Sequence, residues 1–188
     1  MRIIAGKFKG KPIIFLKSIK TRPLKDSVKE NIFNIISHSK KIGIKLDNSK
    51  VLDLYSGIGS FGLEAISRGA KKVTFIEKNK EAIDILRKNI SNLIVENNTE
   101  LFNSDINNIL DGEIVEKFDI FFFDPPFSDK SFIEIIKLIK SKKIFKKKNL
   151  VIIHREKKTQ DNLENILNIF LTKTYSRSKI LFASFSTQ

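Results

Sequence analysis

Twelve residues constrain the fold of this chain more than any others: Val51-Leu52-Asp53-Leu54-Tyr55, then Ser56-Gly57-Ile58-Gly59-Ser60-Phe61-Gly62. An apolar, β-forming run that turns through G-x-G-x-x-G into a helical pattern is the strand–turn–helix unit of a nucleotide-binding sheet. Glycines there permit a tight turn and close approach of a ligand to the backbone. Taken alone the pattern also fits a turn kept for packing, so its surroundings decide. Hydrophobic periodicity predicts further strands over 73–77, 100–103, 118–124, 150–154, 171–176 and 179–185. Helices are expected over 61–68, ended by Gly69, and over 79–95, 106–110, 131–141 and 161–169. Alternating strands and helices predict an α/β fold whose mostly parallel sheet is covered on both faces. The short link between the last two strands requires an antiparallel C-terminal hairpin.

Before the glycine turn, residues 2–16 read as short strands punctuated by Gly6, Gly10 and Pro12. Asp26 is placed to cap a helix with Val28, Ile32, Phe33, Ile35 and Ile36 on its apolar side, and 39–49 is a polar connection. The Lys-rich stretch 137–148 reads as the solvated face of a helix and loop. No linker divides the 188 residues, so one domain over 1–188 is expected, with 1–38 a basic N-terminal extension and 50–188 the core.

Charge separates these parts. The chain is +14 overall, yet residues 1–50 carry +10, residues 51–128 carry −5 and residues 129–188 carry +9. A codon bias toward lysine, with 29 Lys against 6 Arg, would spread the excess evenly. Basic ends around an acidic middle point to a polyanion, nucleic acid first, bound outside a centre that takes something else. Lys7, Lys9, Lys11 and Arg22 are the RNA-binding candidates, with a carboxylate of the ligand in the centre as the alternative partner of Arg22. Cysteine is absent, which excludes disulfides, a thiol nucleophile and cysteine-ligated metals. Two histidines, His38 and His154, do not suggest a metal site, and each reads as structural. No apolar run reaches the ~18 residues of a membrane span. No secretion signal is seen, so a cytoplasmic monomer without membrane partners is expected.

The acidic residues select among nucleoside ligands. Glu77 ends the next strand, 20 positions after Gly57, where a carboxylate can hold ribose hydroxyls. A dinucleotide would satisfy that pattern, but Asp53 at the preceding strand end would repel a diphosphate. It suits a cationic ligand instead. S-adenosylmethionine carries a sulfonium, an ammonium and a ribose. Asp53, Tyr55, Gly57, Gly59, Glu77 and Asp105 are its candidate partners: Asp53 for the amino-acid end, Glu77 for the ribose and Asp105 for the adenine amine. A helix cap is an equally good reading of Asp105.

A second motif supplies a reaction. The apolar strand Phe118-Asp119-Ile120-Phe121-Phe122-Phe123 runs into Asp124-Pro125-Pro126-Phe127. Two prolines fix the backbone and remove two donors, leaving carbonyls and the Asp124 carboxylate as acceptors for a substrate amine. Phe127 offers a face on which an extruded base can stack. Such a site catalyses by positioning and electrostatics, with no metal. Asp124, Pro125, Pro126 and Phe127 are therefore the catalytic candidates.

Together these motifs resemble a known family. Asp53 to Gly59, Gly62-Leu63-Glu64-Ala65-Ile66-Ser67-Arg68-Gly69-Ala70, Asp124 to Phe127, the N-terminal Arg2-Ile3-Ile4-Ala5-Gly6-Lys7-Phe8-Lys9-Gly10, and Arg22-Pro23 with Asp26, Val28, Lys29, Glu30 and Phe33 are similar to the bacterial 16S rRNA guanine-N2 methyltransferases called RsmD. The resemblance covers nearly the whole chain. It implies a Rossmann-like class I S-adenosylmethionine-dependent methyltransferase with seven strands. It also implies methylation of a guanine N2 amine in 16S rRNA, within an assembled or assembling small ribosomal subunit. His154 stands where the family often has an acidic residue. Other readings of the residues are an adenine-N6 or other nucleic-acid amino-methyltransferase, a nicotinamide-dependent oxidoreductase, and a non-enzymatic RNA-binding ribosome-assembly module.

Overall fold

The computed structural model describes residues 1–15, 24–112 and 116–186. After helix α1 (Asp26–His38) come β1 (Lys50–Leu54), α2 (Ser60–Ser67), β2 (Lys72–Glu77), α3 (Lys80–Leu93), β3 (Thr99–Asn103) and α4 (Ile106–Gly112). The second half runs β4 (Phe118–Phe123), α5 (Phe132–Lys142), β5 (Phe145–Glu156), β6 (Asn168–Thr174) and β7 (Ser178–Ser184). The seven strands lie in the order β3-β2-β1-β4-β5-β7-β6. The first five are parallel, and β7 runs antiparallel between β5 and β6. The expected class I architecture is present.

Strand alternation sorts side chains between two cores. Val51, Val73, Ile120, Phe122, Leu150 and Ile152 face α1, α2 and α3. Leu52, Leu54, Phe121, Phe123, Val151 and Ile153 face α4 and α5. On the first side Phe33, Phe61 and Phe122 stack in a row, with centroids 4.9 and 3.9 Å apart.

Four local expectations change. Residues 2–13 form a turned segment closed by one antiparallel bridge, Arg2 to Pro12, rather than strands. Part of its backbone is spent on α2: Glu64 accepts from Ile4 N (2.7 Å) and Ala5 N (3.0 Å), and Ser67 Oγ accepts from Phe8 N at 3.0 Å. Gly6, at φ +82°, lies so close to α2 that a Cβ would fall 1.9 Å from the Ser67 carbonyl oxygen. Secondly, Asp26 is the first helical residue of α1, not its cap, because Lys29 N already bonds to Lys25 O at 2.9 Å. Its carboxylate lies 3.6 Å from the buried Lys29 ammonium, which donates to Ser60 Oγ at 3.1 Å.

Thirdly, β5 begins at Phe145, inside the Lys-rich stretch. Phe145 stacks on Phe185 (4.7 Å, 18°), and Lys146 pairs with Asp119 at 2.7 Å, so the lysines decorate a strand. Fourthly, 161–169 is a turn, not a helix. Leu163 O collects the amides of Ile166 and Leu167, both at 2.9 Å, and then β6 begins pairing with β7. Asn162, Asn165 and Asn168 are weak helix formers, and cross-strand pairing wins.

Candidate active site

The carboxyl ends of β1, β2, β4 and β5 open on one cleft of about 830 Å³. That is room for a nucleoside cofactor and part of a second ligand. Among the sequence-predicted residues, Asp53, Tyr55, Gly57, Glu77, Asp105, Asp124, Pro125, Pro126 and Phe127 all line it. Gly59 does not. It holds the left-handed turn before α2 (φ +82°), and a Cβ there would lie 2.3 Å from the Leu86 Cδ1 atom of α3. Its role is close packing of turn against helix. At Gly57 (φ +55°) an added Cβ would meet nothing within 4 Å, so this glycine leaves the backbone open to a ligand.

Glu77 is fixed before any ligand arrives. Its Oε2 accepts from Gly57 N at 2.8 Å, and its Oε1 from Lys78 N at 3.0 Å and Asn79 N at 2.8 Å. The carboxylate thus joins the end of β2 to the glycine turn, with lone pairs left over for hydroxyl donors. Asp53 is 1% exposed, and its Oδ2 accepts from Gly62 N at 3.0 Å. Burial pushes its carboxyl well above the usual carboxylate range. The Gly62 bond opposes this, and the nearby Asp124 and Glu77 carboxylates add to it. A cationic group in the cleft would relieve that cost. Tyr55 follows β1 directly at φ +59°, in the left-handed region a non-glycine residue seldom occupies. Burial raises its phenol, and its hydroxyl has no hydrogen-bond partner among the described residues.

Asp105 acts as a helix-terminal acceptor. Its Oδ1 takes the Asn107 backbone N–H (3.1 Å) and side-chain amide (3.0 Å), and Lys78 lies 3.7 Å from Oδ2. The capping reading is therefore the one the contacts display.

At the catalytic candidates the sequence reading needs two corrections. The carbonyls of Pro126 and Phe127 are not open to a substrate. Arg155 donates to both, each at 3.1 Å, and Pro126 O also accepts from Asp129 N at 2.8 Å. Arg155 is fully buried, bonded to Asp161 Oδ2 at 3.0 Å, with its guanidinium 4.5 Å from the Phe132 ring centroid. It fastens the motif from behind. Its signal in the sequence was an arginine directly after an apolar strand. The carbonyls of Asp124 and Pro125 accept no hydrogen bond among the described residues. The second correction is His154, read as having no site role. Register pairs Phe123 with Ile153, so the next residues, Asp124 and His154, stand side by side on the same face. His154 Nδ1 lies 2.8 Å from Asp124 Oδ1, and its ring packs edge-to-face with Phe127 (5.5 Å, 79°).

Lys7, Lys9 and Lys11 are exposed around the buried Phe8, on the turn clamped to α2. Lys7 and Lys11 lie 5.4 and 5.3 Å over the Phe8 ring, so one tight turn gathers three cations. Arg22 lies outside the described residues. Phe15 and Leu24, which flank that gap, both line the cleft. Among the described residues no His, Asp and Glu cluster could hold a metal ion, and no helix is long and apolar enough to cross a membrane.

Comparison with known proteins gives concordant matches. The family described as conserved hypothetical protein 95 matches residues 1–184. Ribosomal RNA small subunit methyltransferase D of Haemophilus influenzae is 35% identical over 159 residues, covering 84% of this chain and 79% of that protein. Its namesake from Buchnera aphidicola subsp. Acyrthosiphon pisum is 34% identical over 156 residues, covering 83% and 78%. The solved structure of a methylase from Haemophilus influenzae aligns with TM-score 0.79 at 28% identity, covering 99% of this chain and 98% of that one.

Proposed function

Since the chain belongs to the RsmD family of small-subunit rRNA methyltransferases, the family of the conserved hypothetical protein 95 description, we propose that it transfers a methyl group from S-adenosylmethionine to the exocyclic N2 amine of a guanine in 16S rRNA. The observation that carries this reading is that two acceptor sets share one cleft. Asp53 and Glu77 stand on the glycine side, and Asp124 with its proline segment stands at the end of the adjacent strand β4.

The residues fit the cofactor. Glu77, pinned by three backbone amides, offers its remaining lone pairs to the ribose. The open side of Gly57 would admit the cofactor to the backbone, and Asp53 would hold its cationic amino-acid end. Asp105, turned to its own helix end, contributes to the adenine side of the cleft. When bound, S-adenosylmethionine supplies an electrophilic methyl on a sulfonium.

The protein's own part is to make a poor nucleophile attack well. Asp124 has Oδ1 committed to His154, which leaves Oδ2 and the Asp124 and Pro125 carbonyls to accept the amine hydrogens. Acceptors on those hydrogens turn the nitrogen lone pair out of conjugation and favour the positive charge that develops on it. Arg155 keeps Pro126 and Phe127 from shifting, so Phe127 is a fixed platform for an extruded base. The lysine turn would hold phosphates and set orientation without reading sequence. The target guanine would lie in a loop, since A-form grooves hide base edges. We read the chain as one domain acting as a cytoplasmic monomer on assembling or assembled small subunits.

The test is transfer of labelled methyl from S-adenosylmethionine to small subunits lacking the modification, followed by nucleoside mass spectrometry. N2-methylguanosine in the 16S rRNA is the expected product. Label in another nucleoside, or none, would refute the proposal.

A further inference from the structure

The basic C-terminal third of the chain has no part in the mechanism above. Residues 129–188 carry +9, and the structure sorts their cations. Lys137, Lys146 and Arg155 are engaged by carboxylates, and Lys140 and Lys179 donate to backbone carbonyls. Among the rest, Lys157, Lys158, Lys173 and Arg177 are exposed, and their side chains have no partner among the described residues.

Strand register gathers these four at the carboxyl edge of the sheet, where the cleft opens. β5 runs three residues past its last pair with β4, held there by β7, and Lys157 and Lys158 follow directly. Because β7 is antiparallel to β5, the turn from β6 into β7 reaches the same edge. Lys157 N donates to Arg177 O at 3.0 Å, which ties the two exits together. Lys173 stands opposite Ile180, and Ile180 stands opposite His154, so all three share one face of the sheet. Lys173 is thus two strands, about 10 Å, from the histidine that lines the cleft beside Phe127. The segments 156–158 and 173–179 contain one carboxylate, Glu156, against these free cations. The lysine turn lies elsewhere. Ser60 at the start of α2 lines the cleft, whereas Lys7 N bonds to Ser67 O at the other end of that helix. Helical rise separates the two ends by about 10 Å.

We infer that Lys157, Lys158, Lys173 and Arg177 form a phosphate clamp on the rim of the cleft, which holds the RNA backbone next to the extruded target base. This rests on the rRNA methyltransferase reading above and names the surface that receives its substrate. A base seated on Phe127 brings its own backbone out at the cleft mouth, and the nearest free cations there are those of the hairpin. Extruding a base costs stacking energy, and phosphate contacts beside it offset that cost without reading sequence. Arginine suits the task through its planar fork and lysine as a point charge. The lysine turn then takes phosphates farther along the RNA.

The experiment compares wild-type protein with a variant carrying Lys157→Gln, Lys158→Gln, Lys173→Gln and Arg177→Gln, all at exposed positions. Binding to small subunits lacking the modification is measured across a salt series. The variant is expected to lose about three from the slope of log affinity against log salt, and at least about tenfold in affinity near physiological salt. Its affinity for S-adenosylmethionine should be unchanged. The chain contains no cysteine, so Arg177→Cys and Lys9→Cys each accept a single thiol-directed photo-crosslinker. The crosslinker at position 177 is expected to mark rRNA nucleotides within two or three of the methylated one, and that at position 9 to mark more distant ones. An unchanged salt slope would overturn the clamp while leaving the methyl transfer standing. So would crosslinks from position 177 that fall only on distant nucleotides or on a ribosomal protein, the latter assigning the cations to an acidic protein surface. Absence of methyl transfer by the wild-type protein would overturn the activity and the clamp with it.

Discussion

Replacing Asp53 by asparagine isolates charge from shape. The side chain is 1% exposed, and its Oδ2 accepts from Gly62 N at 3.0 Å, a bond that an asparagine carbonyl can also accept. The change removes the negative charge that the side chain carries once a cation is bound. At an effective dielectric of ~20, a unit charge ~5 Å away interacts by about 3 kcal/mol. Binding of S-adenosylmethionine should therefore weaken on the order of 100-fold. Methylthioadenosine, which has neither sulfonium nor amino-acid end, should bind both proteins alike. Burial holds the free carboxyl well above its usual range, and a bound cation favours its ionised form, so binding expels a proton. Wild-type affinity should fall as pH drops below that raised value, while Asp53→Asn stays flat. Calorimetry in two buffers of different ionisation enthalpy reads the proton directly. Stability should move the other way. A carboxyl raised in the folded state costs stability once pH exceeds its unfolded value. The variant's ligand-free Tm should exceed the wild type's at neutral pH, with the gain vanishing below about pH 4. Wild-type affinity and wild-type pH dependence in Asp53→Asn would refute the assignment of this carboxylate to the cationic end.

Three further substitutions test the rest of the cleft. Asp124→Ala should fold and bind S-adenosylmethionine but lose ~100- to 1,000-fold in single-turnover transfer, the usual effect of removing one positioned electrostatic partner. Near-normal turnover would exclude Asp124 from the reaction. Arg155→Met should cost about 3–5 kcal/mol in urea unfolding, because it strands the buried Asp161 carboxylate and the Phe127 carbonyl. Unchanged stability would mean that Arg155 does not fasten the motif. Changing Lys7, Lys9 and Lys11 together to Ala should flatten the salt dependence of RNA binding by up to about three counterions while sparing cofactor affinity. An unchanged slope would place the phosphate contacts elsewhere.

What could be read from the sequence divides along a physical line. The glycine turn, Glu77 and the Asp124–Phe127 motif are legible because each is a local pattern whose chemistry needs those residue types at short spacing. The sheet was legible from alternation, and the C-terminal hairpin from a link too short for a crossover. The 161–169 segment was misread because its fate depends on tertiary partners that helical periodicity does not report: Asp161 is held by the buried Arg155, and Asn168 pairs with Ser184. The N-terminal segment was misread for the same reason. The amides of Ile4, Ala5, Lys7 and Phe8 are satisfied by Glu64 and Ser67 of α2, about 60 residues away, and only the rest by turns within the segment.

His154 illustrates how register creates a site. Nothing near it in sequence marks it as more than a strand-end histidine. It becomes the neighbour of Asp124 only because β4 and β5 pair Phe123 with Ile153, and a slip of one residue would turn it to the opposite face. Arg155, the next residue, points to that opposite face and grips Pro126 and Phe127. Two consecutive residues of β5 thus control the motif at the end of β4 from both sides of the sheet. One hydrogen-bonds the Asp124 carboxylate, and the other holds the backbone that carries Phe127. This is possible because β5 runs three residues past the last pair it makes with β4, so His154 and Arg155, held in the sheet by β7, lie against the exit loop of β4. Sequence motifs name the groups that touch a ligand, and the strand register decides which residues hold those groups in place.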